Sequence, residues 1–149
     1  MFPAESSPKK FVVGICSYNE GDKIRRTLQK FNRYDLYDVL LVDDGSTDGS
    51  LDEVRDGPSL RILRNPSTMG AGFGTRQIIQ FAQDYGYEAI IFVSGNDKDD
   101  PNDVGRLVAA IEKGADFVQG SRYLPGGGFG NMPRYRRITT QYVHPLLFS

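Results

Sequence analysis

Three short, nearly unbroken apolar runs constrain this chain most: residues 11–16 (FVVGIC), 39–42 (VLLV) and 89–93 (AIIFV). Runs of this length suit strands covered on both faces. Between them the apolar period changes. Ile24, Leu28 and Phe31 recur at helical spacing in a segment opening near Asp22. Ile78, Ile79 and Ala82 are expected to point inward from a helix that follows a glycine turn at residues 70–74. Val104, Leu107, Val108 and Ile111 form one stripe behind Asp100-Pro101, an N-cap with proline at the first helical position. Residues 60–63 read as a weaker third strand, and Ser46-Thr47-Asp48 as a helix N-cap region. Phe117-Val118 reads as the start of a final short strand. Such alternation predicts an α/β fold, a three-layer α/β/α arrangement around a mostly parallel sheet. The 149 residues suit one domain, which at this size buries roughly 68–70% of its unfolded surface. The organisation expected is an N-terminal extension over 1–10, the sheet-bearing domain over 11–120 and a basic segment over 121–149.

Charge sets the last segment apart. All 19 acidic residues precede position 121, where they meet 14 basic ones, a balance of −5. Residues 121–149 hold Arg122, Arg134, Arg136 and Arg137 and no acid, a balance of +4. This reads as a solvated tail or as a clamp for phosphate or an anionic membrane surface. The overall charge of −1 argues against a general nucleic-acid binder. A single cysteine, Cys16, excludes an intrachain disulfide framework and a cysteine-based zinc site. No window approaches the ~18 apolar residues of a membrane span, and MFPAESSPKK lacks the apolar core of a secretory signal. The location expected is cytoplasmic, at most peripheral at a membrane.

In parallel sheets, ligands bind beyond the carboxyl ends of the strands. Three polar clusters should therefore converge: Ser17-Tyr18-Asn19-Glu20, Asp43-Asp44-Gly45-Ser46, and residues 94–100. Two successive aspartates before glycine exceed what a helix cap needs, and they can accept hydrogen bonds from a ribose hydroxyl or a base N–H. Capping remains the plainer role for Ser46 and Asp48. A phosphorylatable receiver domain carries paired aspartates after its first strand, whereas here they follow the second. No GxxxxGK[ST] loop exists, which excludes a P-loop phosphotransferase. The acidic stretch FVSGNDKDDP (92–101) suits Mg²⁺ or Mn²⁺ carrying a diphosphate, or is simply a solvated turn capped by Asp100. The glycine-rich residues 125–130 read as a mobile loop or a linker.

At VDDGSTDGS (42–50) the chain resembles the family-2 glycosyltransferases, which have the GT-A nucleotide-sugar-binding fold. CSYNE (16–20) is similar to that family's first-strand motif. GSRYLPGG (120–127), followed by Pro133 and Arg136-Arg137, resembles the dolichyl-phosphate mannose synthase and polyprenyl-phosphate glycosyltransferase branch. The resemblance implies inverting transfer of a sugar from a UDP- or GDP-linked donor to a polyprenyl phosphate. A glycan hydroxyl acceptor, or a non-catalytic nucleotide-sugar-binding module, are the alternatives. By position it implies a nucleotide pocket of Ser17, Tyr18, Asn19, Glu20, Asp43, Asp44, Gly45, Gly70, Arg76 and Asn96. It places Asp97 and Arg122 in catalysis, and Arg134, Arg136 and Arg137 at the acceptor phosphate. Asn96, Asp97 and Asp99 would hold Mg²⁺ or Mn²⁺.

The chain departs from the family in two ways. Where an Asp-x-Asp metal motif should follow the fourth strand, it reads Ser94-Gly95-Asn96, and Asp97-Lys98-Asp99 comes three residues late. Asn96 and Asp97 could bind a metal weakly, the loop could shift to use Asp97 and Asp99, or Lys98 could neutralise the diphosphate alone. A weaker site using Asp97 is the favoured expectation. The chain also stops about where relatives continue into acceptor-binding helices, and Leu146, Leu147 and Phe148 would suit a homo-oligomer contact or a membrane surface. No acid follows residue 116. A hydroxyl acceptor would need a carboxylate base, whereas a phosphate acceptor is already an anion. His144 and Cys16 are expected to be structural.

Overall fold

A computed structural model describes residues 10–31, 37–121, 128 and 132–143. The chain divides after Asp116 into two units, Met1–Asp116 and Phe117–Ser149. The first unit holds β1 (Phe11–Ser17), α1 (Asp22–Phe31), β2 (Asp38–Asp43), β3 (Leu60–Arg64), α2 (Ala71–Asp84), β4 (Ala89–Ser94) and α3 (Pro101–Glu112). Its four strands form one parallel sheet in the order β3-β2-β1-β4.

Alternate residues of each strand face opposite layers, which is why the strand sequences read as unbroken apolar runs. Val13, Ile15, Val39, Leu41, Ile91 and Val93 pack with Ile24, Leu28 and Phe31 of α1 and Val104 of α3. Val12, Leu40 and Val42 pack on the other face against Ile78, Phe81 and Ala82 of α2. The three-layer α/β/α expectation holds. Close approach of α2 depends on two glycines. A Cβ on Gly14 would lie 2.5 Å from Ile78 Cγ2, and one on Gly74 would lie 2.8 Å from Cys16 Sγ. The start of α3 is as the sequence suggests, with the Asn102 N–H donating to Asp100 Oδ1 at 2.9 Å and Pro101 in the first turn.

Three expectations fail. No helix follows Ser46-Thr47-Asp48; residues 50–53 form turns, with Gly49 at φ 72, because the Ser46 hydroxyl, the Thr47 N–H and the Asp48 carboxylate bond across to another loop. Ile79 is exposed, since it falls outside the Ile78–Ala82 stripe of α2. Phe117-Val118 forms no strand and Phe117 is 81% exposed. Two apolar residues before Gln119-Gly120 give little to bury, and glycine weakens strands.

In the second unit, α4 (Arg134–Ile138) runs into a π-helical stretch, Thr139–Val143. Among the described residues, no helix is long and apolar enough to cross a membrane.

Candidate functional site

At the carboxyl edge of the sheet, pairing of β1 with β2 sets Ser17 beside Asp43. The Asp44 N–H donates to the Ser17 carbonyl at 2.9 Å. Beyond that point the two loops are laced together. Asn19 takes a left-handed backbone, φ 52, which turns its N–H onto Ser46 Oγ at 3.1 Å while its Oδ1 accepts from the Thr47 N–H at 2.8 Å. The Gly21 N–H donates to Asp48 Oδ2 at 2.9 Å. Asp48 Oδ1 accepts from the Ser50 N–H and hydroxyl, so its carboxyl lies below the usual carboxylate range. Arg25 of α1 closes the brace by donating to the carbonyls of Ser50 and Gly49 at 2.9 and 3.0 Å. The residues that looked like a helix cap thus fasten the neighbouring loop.

Both aspartates of the pair are buried. Asp43 accepts from the Ser46 N–H at 2.9 Å and from Arg64 Nη1 at 3.0 Å. Arg64 Nη2 continues to the carbonyls of Leu51 and Val54. Asp44 is more heavily engaged. Its Oδ1 accepts from Asn65 Nδ2 and the Met69 N–H, each at 2.9 Å. Its Oδ2 accepts from Thr68 Oγ1 and the Gly70 N–H, each at 2.8 Å. Burial by itself would raise the Asp44 carboxyl, but these four donors outweigh it and pull the pKa down to about 2. Asn65 and Gln77 exchange amide hydrogen bonds at 3.0 and 3.2 Å, tying the loop to α2. Gly45 sits at φ 76 against the Ser67 backbone, where a Cβ would come within 2.7 Å of a carbonyl carbon.

Asn65, Thr68 and Met69 were missed in the sequence. NPSTMG after β3 carries no motif of its own; a buried aspartate in need of donors was the only pointer to it. With both its oxygens doubly bonded, Asp44 orders the 65–70 loop, while the Asp43 carboxylate holds Ser46 and Arg64. The surface left open holds Tyr18, 48% exposed, and Glu20, whose Oε2 lies 3.5 Å from Lys23 Nζ. Arg76 of α2 stands over the Phe73 ring at 5.9 Å. Ser17 is buried, and its Oγ has no hydrogen-bond partner. The Cys16 thiol is pushed up by burial and then by the Asp44 charge, the opposite of what a nucleophile needs.

The loop after β4 meets the same edge. Ser94 pairs with Cys16, and the missing side chain of Gly95 would lie 3.4 Å from Ser17 Cβ. Its acids then diverge. Asp97, at φ 65, turns to α1: Oδ2 is 2.6 Å from Arg26 Nε and Oδ1 is 2.6 Å from Lys30 Nζ. The hydrogen bond from Arg26 and then the contact with Lys30 lower its pKa; the Lys30 contact is an ion pair in which Oδ1 makes no well-directed hydrogen bond. Asp99 Oδ2 accepts from the Ser94 N–H at 2.7 Å, Asp100 caps α3, and Asn96 Oδ1 is buried without a partner. No group of three His, Cys, Asp or Glu able to hold a metal occurs among the described residues. The donor set Asn96, Asp97 and Asp99 therefore does not fit a divalent cation as placed: one carboxylate is spent on two cations and the other on its own turn. Lys98 lies beside them, at a hollow of about 370 Å³ that Lys30 also lines.

Of the basic acceptor residues, Arg134, Arg136 and Arg137 lie on α4, next to exposed Tyr135, Ile138 and Tyr142. Arg122 lies outside the described residues, as do residues 1–9, His144, Leu146, Leu147, Phe148 and most of the 125–130 loop.

The family model for glycosyl transferase family 2 matches residues 12–148. Similar proteins include the polyprenol monophosphomannose synthase of Mycolicibacterium smegmatis, 29% identical over 143 residues, covering 91% of this chain and 54% of that protein. The undecaprenyl-phosphate mannosyltransferase of Micrococcus luteus is 30% identical over 129 residues, covering 83% and 53%. The dolichol-phosphate mannosyltransferase of Pyrococcus furiosus is 27% identical over 141 residues, covering 89% and 38%. The chain spans about half the length of the first two.

Proposed function

Because the chain belongs to glycosyltransferase family 2, we propose that it carries the donor-binding part of an enzyme that moves a sugar from a nucleoside diphosphate to a polyprenyl phosphate. The observation that carries this reading is the mutual bracing of the loops after β1, β2 and β3, which fixes one polar surface at the carboxyl edge of the sheet. The names of the three relatives, all lipid-phosphate sugar transferases, supply the acceptor class.

In this reading the UDP- or GDP-linked donor lies against residues 17–20, Gly45, Gly70 and Arg76, with the Tyr18 ring offering a stacking face. Asp43 and Asp44 act through the loops they order. An oxygen of the acceptor phosphate attacks the anomeric carbon from the face opposite the diphosphate. The bond to the diphosphate breaks, the nucleoside diphosphate leaves with the electron pair, and the configuration inverts. The attacking oxygen is already anionic, so no base is required. Arg134, Arg136 and Arg137, with Arg122, bind the acceptor phosphate; arginine suits this through paired N–H donors. Tyr135, Ile138 and Tyr142 recur three and four residues apart beside these arginines, a pattern fitting peripheral contact with an anionic membrane.

The test is a thermal-shift screen of UDP, GDP and their sugars. A rise in melting temperature with at least one, weakened by Tyr18→Ala, supports the reading. Absence of any rise across the screen refutes it. Binding without transfer to a polyprenyl phosphate would favour a non-catalytic module.

A further inference from the structure

The family often uses a divalent metal, and the loop after β4 is where this chain should hold it. We propose instead that Asp97 is a positioning residue: it straps residues 94–100 to α1 and coordinates no cation. The inference concerns a loop of the proposed donor site, but its decisive measurements do not require that site to bind.

Three side chains of α1 receive Asp97, at positions 26, 27 and 30, which share one face of a helix. Arg26 Nε and Lys30 Nζ each lie 2.6 Å from a different carboxylate oxygen. Between them the Thr27 hydroxyl accepts from the Asp97 N–H at 3.0 Å. Backbone and side chain of one residue are thus fixed by one helix turn, across 70 or so positions of sequence. Thr27 is buried, so its hydroxyl is not free to follow solvent. The left-handed backbone at Asp97, φ 65, is a conformation that aspartate tolerates better than most residues, and here it aims the carboxylate at α1.

A metal cannot share this arrangement. Mg²⁺ needs oxygens at about 2.0–2.1 Å in near-octahedral order. Reaching Asp97 would place a dication against two side chains already bearing positive charge, and would require both to leave. Asp99 is held to the loop's own turn, its Oδ2 accepting from the Ser94 N–H at 2.7 Å, and has at most one free oxygen to offer a cation. Asn96 adds only a neutral oxygen. The shift of acidic residues three places beyond the family's motif therefore marks a change of partner, from metal to helix.

The experiment uses the full chain and its Asp97→Asn, Asp97→Ala, Lys30→Ala and Asp97→Ala/Lys30→Ala variants. Mn²⁺ is titrated by electron paramagnetic resonance, with and without UDP or GDP, and melting temperatures are measured in EDTA. Equal Mn²⁺ affinity for the parent and Asp97→Asn supports the strap. Melting temperature should fall by about 3 °C for each single alanine variant, with little further loss in the double variant, because the two remove one contact. Lys30→Arg, which keeps the charge, should hold most of the parent's melting temperature and the uncharged Lys30→Met should not, a contrast that a merely space-filling role would not give. A Mn²⁺ affinity lowered tenfold or more by Asp97→Asn, or strictly additive losses in the double variant, would overturn the proposal. Failure of UDP and GDP to bind in any buffer refutes the donor reading alone; the Mn²⁺ titration without nucleotide and the thermal cycle still decide this one.

Discussion

Replacing Asp44 by asparagine tests whether this carboxylate orders the 65–70 loop. The side chain is 5% exposed and accepts from Asn65, Thr68, Met69 and Gly70 at 2.8–2.9 Å. Its pKa falls from the ordinary 3.8 to about 2. At 1.36 kcal/mol per tenfold change in proton affinity, that gap corresponds to about 2.5 kcal/mol of stability. The folded-state value lies below the unfolded one. The stabilisation is therefore complete well above pH 4, and it is lost as the pH falls through 4 toward 2. Asparagine removes the charge and sets an NH₂ group against donors, leaving at least one buried N–H short of an acceptor, a further cost of about 1 kcal/mol or more. The variant should be less stable by about 3–4 kcal/mol at pH 7; with an m-value of about 2 kcal/mol/M, its urea midpoint should drop by about 1.5–2 M. At pH 2.5 about 1.6 kcal/mol of the parent's advantage has already gone, so the gap should shrink to roughly half. Paired urea titrations at the two pH values read this directly. Equal gaps at both, or a variant as stable as the parent at pH 7, would refute the reasoning.

Other consequences are narrower. Tyr18→Ala should weaken UDP or GDP binding about fivefold by calorimetry, in line with about 1 kcal/mol for a lost stacking contact, while the melting temperature stays put because the ring is half exposed. Gly14→Ala should cost about 1–3 kcal/mol by overpacking, since its Cβ would meet Ile78 Cγ2 at 2.5 Å; joined with Ile78→Ala, which removes that Cγ2, it should cost less than the sum of the two single changes in urea titrations. The Arg134→Glu/Arg136→Glu variant should lose binding to vesicles containing phosphatidylserine but not to neutral ones, and the parent's binding should fall as salt rises.

The fold was legible because its signals are short-range and redundant. Apolar runs 11–16, 39–42 and 89–93 could be strands or buried helices by composition, but their length and the helical stripes between them decide the matter. The same reasoning failed at Phe117-Val118, where two apolar residues do not outweigh a following glycine, and at residues 46–54. There Ser46 and Asp48 have the chemistry of a cap, and only tertiary geometry shows that they bond to Asn19 and Gly21. At the sheet's carboxyl edge, the sequence named loops that the structure brings together but could not say where each carboxylate spends its lone pairs. Asp44 and Asp97 both occupy places where the family's ligand chemistry is expected, and both are claimed by the protein itself. The donors responsible, Thr68 to Gly70 in one case and Arg26 and Lys30 in the other, lie about 25 and 70 positions away, beyond any local pattern. A carboxylate near a ligand-binding edge has two uses: it can meet the ligand or hold the loop that does. The donors within reach show the second use for Asp44 and, in the strap proposed above, for Asp97.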